Sequence, residues 1–348
     1  MIKILHSADW HLDSPLIAHD SPLRQALSRI PDKILELCRA ESCDLVLLAG
    51  DLFDGPYTPH TYQHLYETLR QMNVPVFITP GNHDFCGPDS PWLKEVWPEN
   101  VHIFKNPRME SVFLPDLNLR IYGAGYTSMD CHSLLEGFCP QQDDSCAIGV
   151  LHADPTMVDS PYSPVTRGQI AATGLTYLAL GHIHKGDSFT AGNTLCAWPG
   201  APMGRGYDES GVKGAYIVTI EDTPKLQFRA LDTPRFYDLQ STVEGLDNLL
   251  PPVGSEDYYR VTLTGECDAP DLNDLKARFS RFPNLVLRDR TTRAVDIWGN
   301  AGADSFEGVY FGLLRDAMES ASEEEQKKIL LAAKLSRMLM EGQEVVLP

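Results

Sequence analysis

Five short stretches carry side chains that can hold metal ions. They are Asp9-Trp10-His11, Gly50-Asp51-Leu52-Phe53-Asp54, Gly81-Asn82-His83-Asp84, His152-Ala153-Asp154 and Gly181-His182-Ile183-His184. Together they offer seven candidate ligands: Asp9, His11, Asp51, Asn82, His152, His182 and His184. A pair of first-row ions needs about this many when one carboxylate bridges them. Imidazole mixed with carboxylate suits manganese, iron or zinc better than calcium or magnesium. Two such ions about 4 Å apart clamp the attacking and leaving oxygens of a phosphoryl centre and supply hydroxide at neutral pH. Asp9 and His11 stand two residues apart, which in extended backbone points both to one side. His182 and His184 repeat that spacing.

His83 differs from these seven. If Asn82 is a ligand, the next side chain on the turn can face the leaving group and act as general acid. A carboxylate would fix its tautomer and raise its pKa. Asp54, three residues beyond the bridging candidate Asp51, is the candidate. Asp84 has no clear task beyond bracing the turn. Gly81 is expected to permit a sharp bend. Taken singly, an aspartate after a strand caps a helix more often than it binds metal, and a lone histidine more often packs in a core. The ordered set of five stretches carries the metal reading.

These residues need strands to position them. Apolar runs at Ile2–Leu5, Leu45–Ala49 and Val74–Thr79 each end just before a candidate ligand. Helical periodicity covers residues 22–41, with Pro31 expected to break it. Thr58-Pro59 opens a second helix, threonine as N-cap. Continuous apolar strands alternating with helices predict a largely parallel sheet covered on both faces. The ligands fall at strand C-terminal ends, where such sheets place their sites. Further strands are expected at Leu119–Tyr122, Ile148–Leu151, Tyr177–Leu180, Gly214–Ile220 and Leu226–Leu231.

A boundary is expected near residues 232–235. Beyond it a small α/β unit is predicted, with strands at Tyr258–Leu263, Leu285–Arg288 and Ala294–Ile297 and a helix near 271–281. Two helices follow, Phe306–Met318 and Ser322–Met340, the second opened by the capping box Ser322-Glu323-Glu324-Glu325. The expected organisation is therefore 1–232, 233–302 and 303–348.

The chain has 348 residues, 43% of them hydrophobic, enough for more than one packed domain. No apolar run approaches the ~18 residues of a membrane span. The N-terminus lacks the pattern of a signal peptide, so a cytoplasmic protein is expected. Eight cysteines form no C-x-x-C pair and are expected to be free thiols. The formal net charge of −19 argues against unaided binding to a phosphate backbone. His60 and His64 have a zinc-capable spacing, but Thr61 stands where a metalloprotease needs glutamate. They are expected to pack or face solvent. His6 is expected to support the site from the first strand. Arg205 lies in a glycine-rich loop and is expected to be a surface arginine, a phosphate contact being the alternative.

The five stretches resemble the calcineurin-like metallophosphoesterases. Leu5-His6-Ser7-Ala8-Asp9-Trp10-His11-Leu12-Asp13-Ser14-Pro15 and Gly50-Asp51-Leu52-Phe53-Asp54 resemble the bacterial SbcD and YhaO branch of DNA-repair exonucleases. Pro199-Gly200-Ala201-Pro202, Asp208-Glu209 and Lys213-Gly214 resemble the segment after that branch's last histidines. The likeness covers residues 1–230, and the unit after 235 matches the branch's capping domain in position only. The resemblance implies an α/β fold, a four-layer α/β/β/α sandwich with a small C-terminal α/β cap and terminal helices. It implies one metal on Asp9, His11, Asp51 and His184, and another on Asp51, Asn82, His152 and His182. His83 would be the acid, oriented by Asp54. Aspartate at position 54 agrees with both the bacterial branch and the phosphatases, so it does not separate nuclease from phosphatase.

The implied activity is manganese-dependent exo- or endonucleolytic cleavage of single- or double-stranded DNA in repair, with iron or zinc as other metals. The implied partner is a coiled-coil ATPase of the SbcC kind, docked on the C-terminal helices, and a homodimer is possible. A phosphatase or phosphodiesterase of small phosphoesters is the rival enzyme reading, and it suits the acidic charge. A non-catalytic interaction scaffold is the rival from another class.

Overall fold

A computed structural model describes residues 1–141, 146–293 and 296–342. The chain divides into two compact units, Met1–Tyr237 and Asp238–Pro348. The first unit begins with β1 (Ile2–Ser7), α1 (Ser21–Ser28), α2 (Ile30–Glu41), β2 (Leu45–Leu48), α3 (Pro59–Gln71), β3 (Val76–Ile78), α4 (Pro91–Lys94) and β4 (Val101–Ile103). It continues with β5 (Glu110–Leu114), β6 (Leu119–Gly123), β7 (Cys146–His152), α5 (Arg167–Thr173), β8 (Tyr177–Gly181), β9 (Lys185–Ala191), β10 (Thr194–Gly200), β11 (Gly214–Ile220) and β12 (Pro224–Ala230).

Two six-stranded sheets form among the described residues, in the orders β12-β11-β1-β2-β3-β4 and β5-β6-β7-β8-β10-β9. In the first, β1 to β3 run parallel, as their apolar runs predict. Strand β4, which the sequence reading does not expect, joins them in parallel, and β11 and β12 return antiparallel. The parallel sheet read from the alternating strands and helices is therefore part of one of two sheets, and the second sheet agrees with the four-layer α/β/β/α sandwich that the resemblance implies. Alternation explains why they stack. Leu45, Leu47 and Ala49 face one side and pack in one core with Ile121, Ile148, Val150 and Ala179 of the other sheet. Val46 and Leu48 point the opposite way and are also fully buried. Each such aliphatic side chain contributes about 1.5–3 kcal/mol relative to exposure.

The helix signals appear with small shifts. Pro31 stands in the first turn of α2, so the break falls at Arg29 rather than at the proline. Thr58 Oγ1 accepts from Thr61 N at 3.1 Å and caps α3. On the far face of the second sheet, Ile170 of α5 packs with Leu178 and Leu180.

The second unit carries β13 (Phe236–Ser241), α6 (Leu246–Leu249), β14 (Tyr258–Leu263), α7 (Leu272–Arg278), β15 (Leu285–Asp289), α8 (Phe306–Ser320) and α9 (Glu323–Met340). Its sheet has the order β13-β14-β15. Ser322 and Glu325 form the expected capping box. Of the strand expected at Ala294–Ile297, Ala294 and Val295 lie outside the described residues, and Asp296 and Ile297 are not in a strand. No helix among the described residues is long and apolar enough to cross a membrane.

The two sheets touch at the C-terminal ends of their parallel strands. A Cβ on Gly181, the last residue of β8, would lie 1.9 Å from Ala49 O and 2.9 Å from Ala8 Cβ. Backbone cannot give way as a flexible side chain can. Gly181→Ala should cost about 1–3 kcal/mol of stability, the usual penalty of overpacking. A lowered urea midpoint with an unchanged slope would show it. An unchanged midpoint would mean that the sheets part easily here.

Candidate metal centre

All five stretches converge on this meeting of strand ends. The backbones beyond β1 and β2 run on side by side: Asp9 N donates to Gly50 O at 3.0 Å and His11 N to Asp51 O at 2.9 Å. The backbone is not extended there. Asp9, His11 and Asp51 have φ of 57°, 50° and 52°, so their spacing acts through left-handed turns and not through strand alternation. His182 also has positive φ, 96°, and its N–H donates to Asp9 Oδ1 at 3.0 Å. Non-glycine residues seldom take this conformation, and a cluster of them marks a site held in place by its surroundings.

Among the described residues, three groups of side chains bring ligand atoms within 4.8 Å of one another: Asp9 with His11 and His184, Asp9 with Asp51 and His152, and His11 with Asp51 and His83. Asp51 Oδ2 lies between two imidazoles, 3.8 Å from His11 Nε2 and 3.3 Å from His152 Nε2. Asn82 Oδ1 is 2.9 Å from His152 Nε2. His182 is in none of the three groups; its ring meets that of His152 edge-on at 5.3 Å.

The lone pairs at this centre face one another. His152 Nδ1 lies 2.9 Å from Ala49 O and must donate to it, because a carbonyl only accepts. In the neutral ring that leaves the Nε2 lone pair against the oxygens of Asp51 and Asn82. His184 Nδ1 is 2.7 Å from Glu209 Oε1, so its Nε2 lone pair faces His11 Nε2 at 3.1 Å. His11 Nδ1 is buried without a hydrogen bond, 3.6 Å from Asp54 Oδ1. A cation would satisfy this convergence, as would an extra proton on His152 and, between His11 and His184, the tautomer with its proton on His11 Nε2. With protons alone, burial is the largest effect on His152 and lowers its pKa, but the charge and hydrogen bond of Asp51, the charge of Asp9 and the bond to Ala49 O together push the group up to about 9. Buried imidazoles and carboxylates with converging lone pairs fit a first-row divalent ion.

His83 stands at the rim, its side chain 45% exposed. Its Nδ1 is 2.6 Å from Asp54 Oδ1, and this bond raises its pKa against the opposing effect of burial. Asp54 Oδ2 accepts from Ser14 Oγ at 2.6 Å and from Arg205 Nη1 at 3.2 Å. Burial pushes Asp54 up, but the neighbouring His11, His83 and Ser14 hold it well below the usual carboxylate range.

Arg205 is not a surface arginine, since its side chain is only 6% exposed. Its Nη2 donates to Glu209 Oε1 at 2.8 Å. The sequence reading notes Arg205 and the Asp208-Glu209 pair but misses their part in the site, where Glu209 partners His184 and Arg205 bridges Glu209 and Asp54. Their only signal is the glycine-rich loop and the Asp208-Glu209 pair after it. His6 is fully buried, bonded to Tyr177 Oη at 2.7 Å and to Leu180 O at 3.0 Å. His64 pairs with Asp32 at 2.9 Å, a packing role.

Gly81 needs no left-handed backbone. It is glycine because a Cβ would lie 2.2 Å from Asp51 Oδ1. Asp84 braces the turn: it accepts from Gly81 N at 2.7 Å, Leu52 N at 2.8 Å and Phe53 N at 3.3 Å, tying the end of β3 to the end of β2. Burial and the Asp51 charge push it up to about 7.

The family model described as calcineurin-like phosphoesterase matches residues 2–186. The chain is 32% identical over 239 residues to an uncharacterized metallophosphoesterase of Bacillus subtilis (strain 168), YhaO, covering 63% of this chain and 57% of that protein. It is 26% identical over 268 residues to SbcD, a component of the nuclease SbcCD of the same strain, covering 64% of this chain and 66% of that protein. The chain therefore spans less than two thirds of either relative's length. Among solved structures, TT1561 of Thermus thermophilus aligns with a TM-score of 0.39 at 14% identity, over 62% of this chain and 93% of that one.

Removing the Asp84 carboxylate would strand three backbone donors, each worth about 1–3 kcal/mol when buried and unpaired. Asp84→Ala should destabilise the first unit by about 3 kcal/mol or more. Asp84→Asn, which keeps one acceptor oxygen, should cost less. Thermal unfolding of the two variants checks this order, and equal losses would contradict it.

Proposed function

Because this chain belongs to the calcineurin-like phosphoesterase family, we propose that its strand-end cluster is a two-metal phosphodiester hydrolase centre that cleaves DNA. One observation carries the reading: a single oxygen of buried Asp51 faces both His11 and His152, the place of a bridging ligand. Asp9, His11, Asp51 and His184 would hold one ion. Asp51, Asn82, His152 and His182 would hold the other. Manganese is the metal we propose, with iron and zinc compatible with the same donors. Bound there, the ions would supply hydroxide at neutral pH and neutralise the phosphoryl oxygens.

The remaining steps belong to the chain's own side chains. Glu209 would fix the His184 tautomer through Nδ1, leaving Nε2 for the metal. Ala49 O would do the same for His152. Asp54 would hold a proton on His83 Nδ1 and aim Nε2 at the leaving oxygen, which His83 protonates as general acid. Ser14 and Arg205 would keep Asp54 ionised and fixed.

DNA as substrate is supported by the relative described as part of a nuclease. The net charge of −19 supports a second reading, a phosphodiesterase of small phosphoesters. A partner would reconcile DNA with this charge. On α8, Phe306, Val309 and Leu313 are 80%, 55% and 66% exposed at three- and four-residue steps, a face suited to a coiled-coil ATPase subunit.

Manganese-loaded protein should cleave single- or double-stranded DNA and bis-p-nitrophenyl phosphate, and chelation should abolish both. Turnover of the small ester without DNA cleavage, even with an ATPase partner present, would decide for the second reading. His83→Ala should lower turnover by about 10²–10⁴-fold with metal content intact. Loss of metal in that variant would make His83 a ligand instead. Glu209→Ala should weaken metal binding by about 10–100-fold, measured by metal titration of the apoprotein.

A further inference from the structure

Beside His83 lies a cavity of about 610 Å³, within the range of small-ligand sites. It opens to solvent between the loop after β2, the start of α3, the loop after β3 and α4. Its walls include Pro56, Tyr57, Phe85, Pro88 and Pro91, with His83 among them. The two aromatic rings and four prolines, Pro59 included, make it predominantly apolar. Its position is set by the ring it adjoins. Asp54 occupies His83 Nδ1 at 2.6 Å, so the free Nε2 lies on the opposite edge of the imidazole.

The charges on this cavity are already partnered. Lys94 pairs with Asp89, and Glu95 accepts from Tyr57 Oη at 2.7 Å. Among the described residues, Lys94 is the one lysine or arginine of this lining and stands among the carboxylates of Asp84, Asp89 and Glu95, so a second phosphate would meet mostly negative charge. The site thus suits a flat, uncharged group and not a stretch of phosphate backbone.

We propose that this cavity binds the nucleobase of the leaving nucleoside, stacked against Tyr57 and Phe85. The proposal rests on the hydrolase reading, because only then is the group beside His83 a leaving group. It deepens that reading by placing base recognition on the leaving side of the scissile bond. Every base has a π-face, so stacking of this kind tolerates sequence. The arrangement would favour a substrate with a nucleoside on the leaving side over one with a simple alkyl alcohol there, through tighter binding and not through altered proton transfer.

Binding can be measured apart from turnover. Adenosine and thymidine, titrated into the full chain without added metal, should show saturation transfer from protein to base protons in NMR. Tyr57→Ala and Phe85→Leu should each weaken this binding about 5- to 100-fold, the range for loss of one stacking partner. Tyr57→Phe, which keeps the ring and drops only the hydroxyl, should bind as the unaltered protein does. Melting curves identify any variant that fails to fold, and the Tyr57→Phe comparison stands without the others. No transfer to either nucleoside, or equal binding in Tyr57→Ala and the unaltered protein, would overturn the proposal. Manganese-dependent hydrolysis of bis-p-nitrophenyl phosphate reports on the hydrolase reading independently. A protein that binds nucleosides here but hydrolyses no phosphodiester would overturn the leaving-group assignment. A protein that hydrolyses the ester but binds no nucleoside would overturn the cavity's role alone.

Discussion

Everything at the strand ends follows from the burial of several carboxylates in one place. Asp9, Asp51, Asp84 and Asp154 are each no more than 3% exposed. Moving one unpaired carboxylate out of water is strongly unfavourable, and a cluster also repels itself. Each carboxylate meets this constraint differently. Asp84 accepts three backbone N–H groups and is pushed towards its neutral form by burial and Asp51. Asp154 Oδ1 accepts from Thr156 N at 2.7 Å and Thr156 Oγ1 at 2.6 Å. Asp51 depends on the imidazoles around it, with His152 foremost, to stay ionised against burial. Such a group is poorly compensated by neutral histidines, and a resident cation answers the same need.

The same constraint explains the tight backbone. For its carboxylate to reach both imidazoles, Asp51 sits in a left-handed turn, and Gly81 must come close enough to leave no room for a Cβ. Positive φ at Asp9, His11, Asp51 and His182 costs about 1–3 kcal/mol each. The sheets beneath supply the rigidity that holds this. Aliphatic side chains from both faces interlock below the site, and Gly181 lets the second sheet press onto Ala8 and Ala49 of the first.

What the sequence makes legible is what is local. Runs such as Leu45–Leu48, buried at every residue, show their strands without tertiary information. Helix caps at Thr58 and Ser322 are equally local. The pairing of strands into two sheets is not, because it depends on contacts such as that of Leu47 with residues from the other sheet. Strand β9 is invisible in the sequence because it lies at a sheet edge with mostly exposed, polar residues. Its neighbour β10 ends in Trp198-Pro199-Gly200, which reads as a loop. Residue type and order are enough to pick out the candidate ligands. Their geometry is not legible in the same way, since extended backbone is expected where left-handed turns occur.

Arg205 shows why the last layer of the site escapes a sequence reading. Its guanidinium spans two carboxylates that serve different histidines. Asp54 partners His83, and Glu209 partners His184. The two carboxylates come from loops more than 150 residues apart, and no spacing rule links them. A lysine ammonium is a point charge, whereas the planar fork of arginine can donate to both at once. Arg205 also opposes protonation of His83 and His184, while Asp54 and Glu209 favour it. One buried cation thus offsets part of the charge of two anions and moderates their pull on the imidazoles. It also joins the rim histidine to a histidine of the candidate metal cluster, so displacement of either carboxylate is felt by the other.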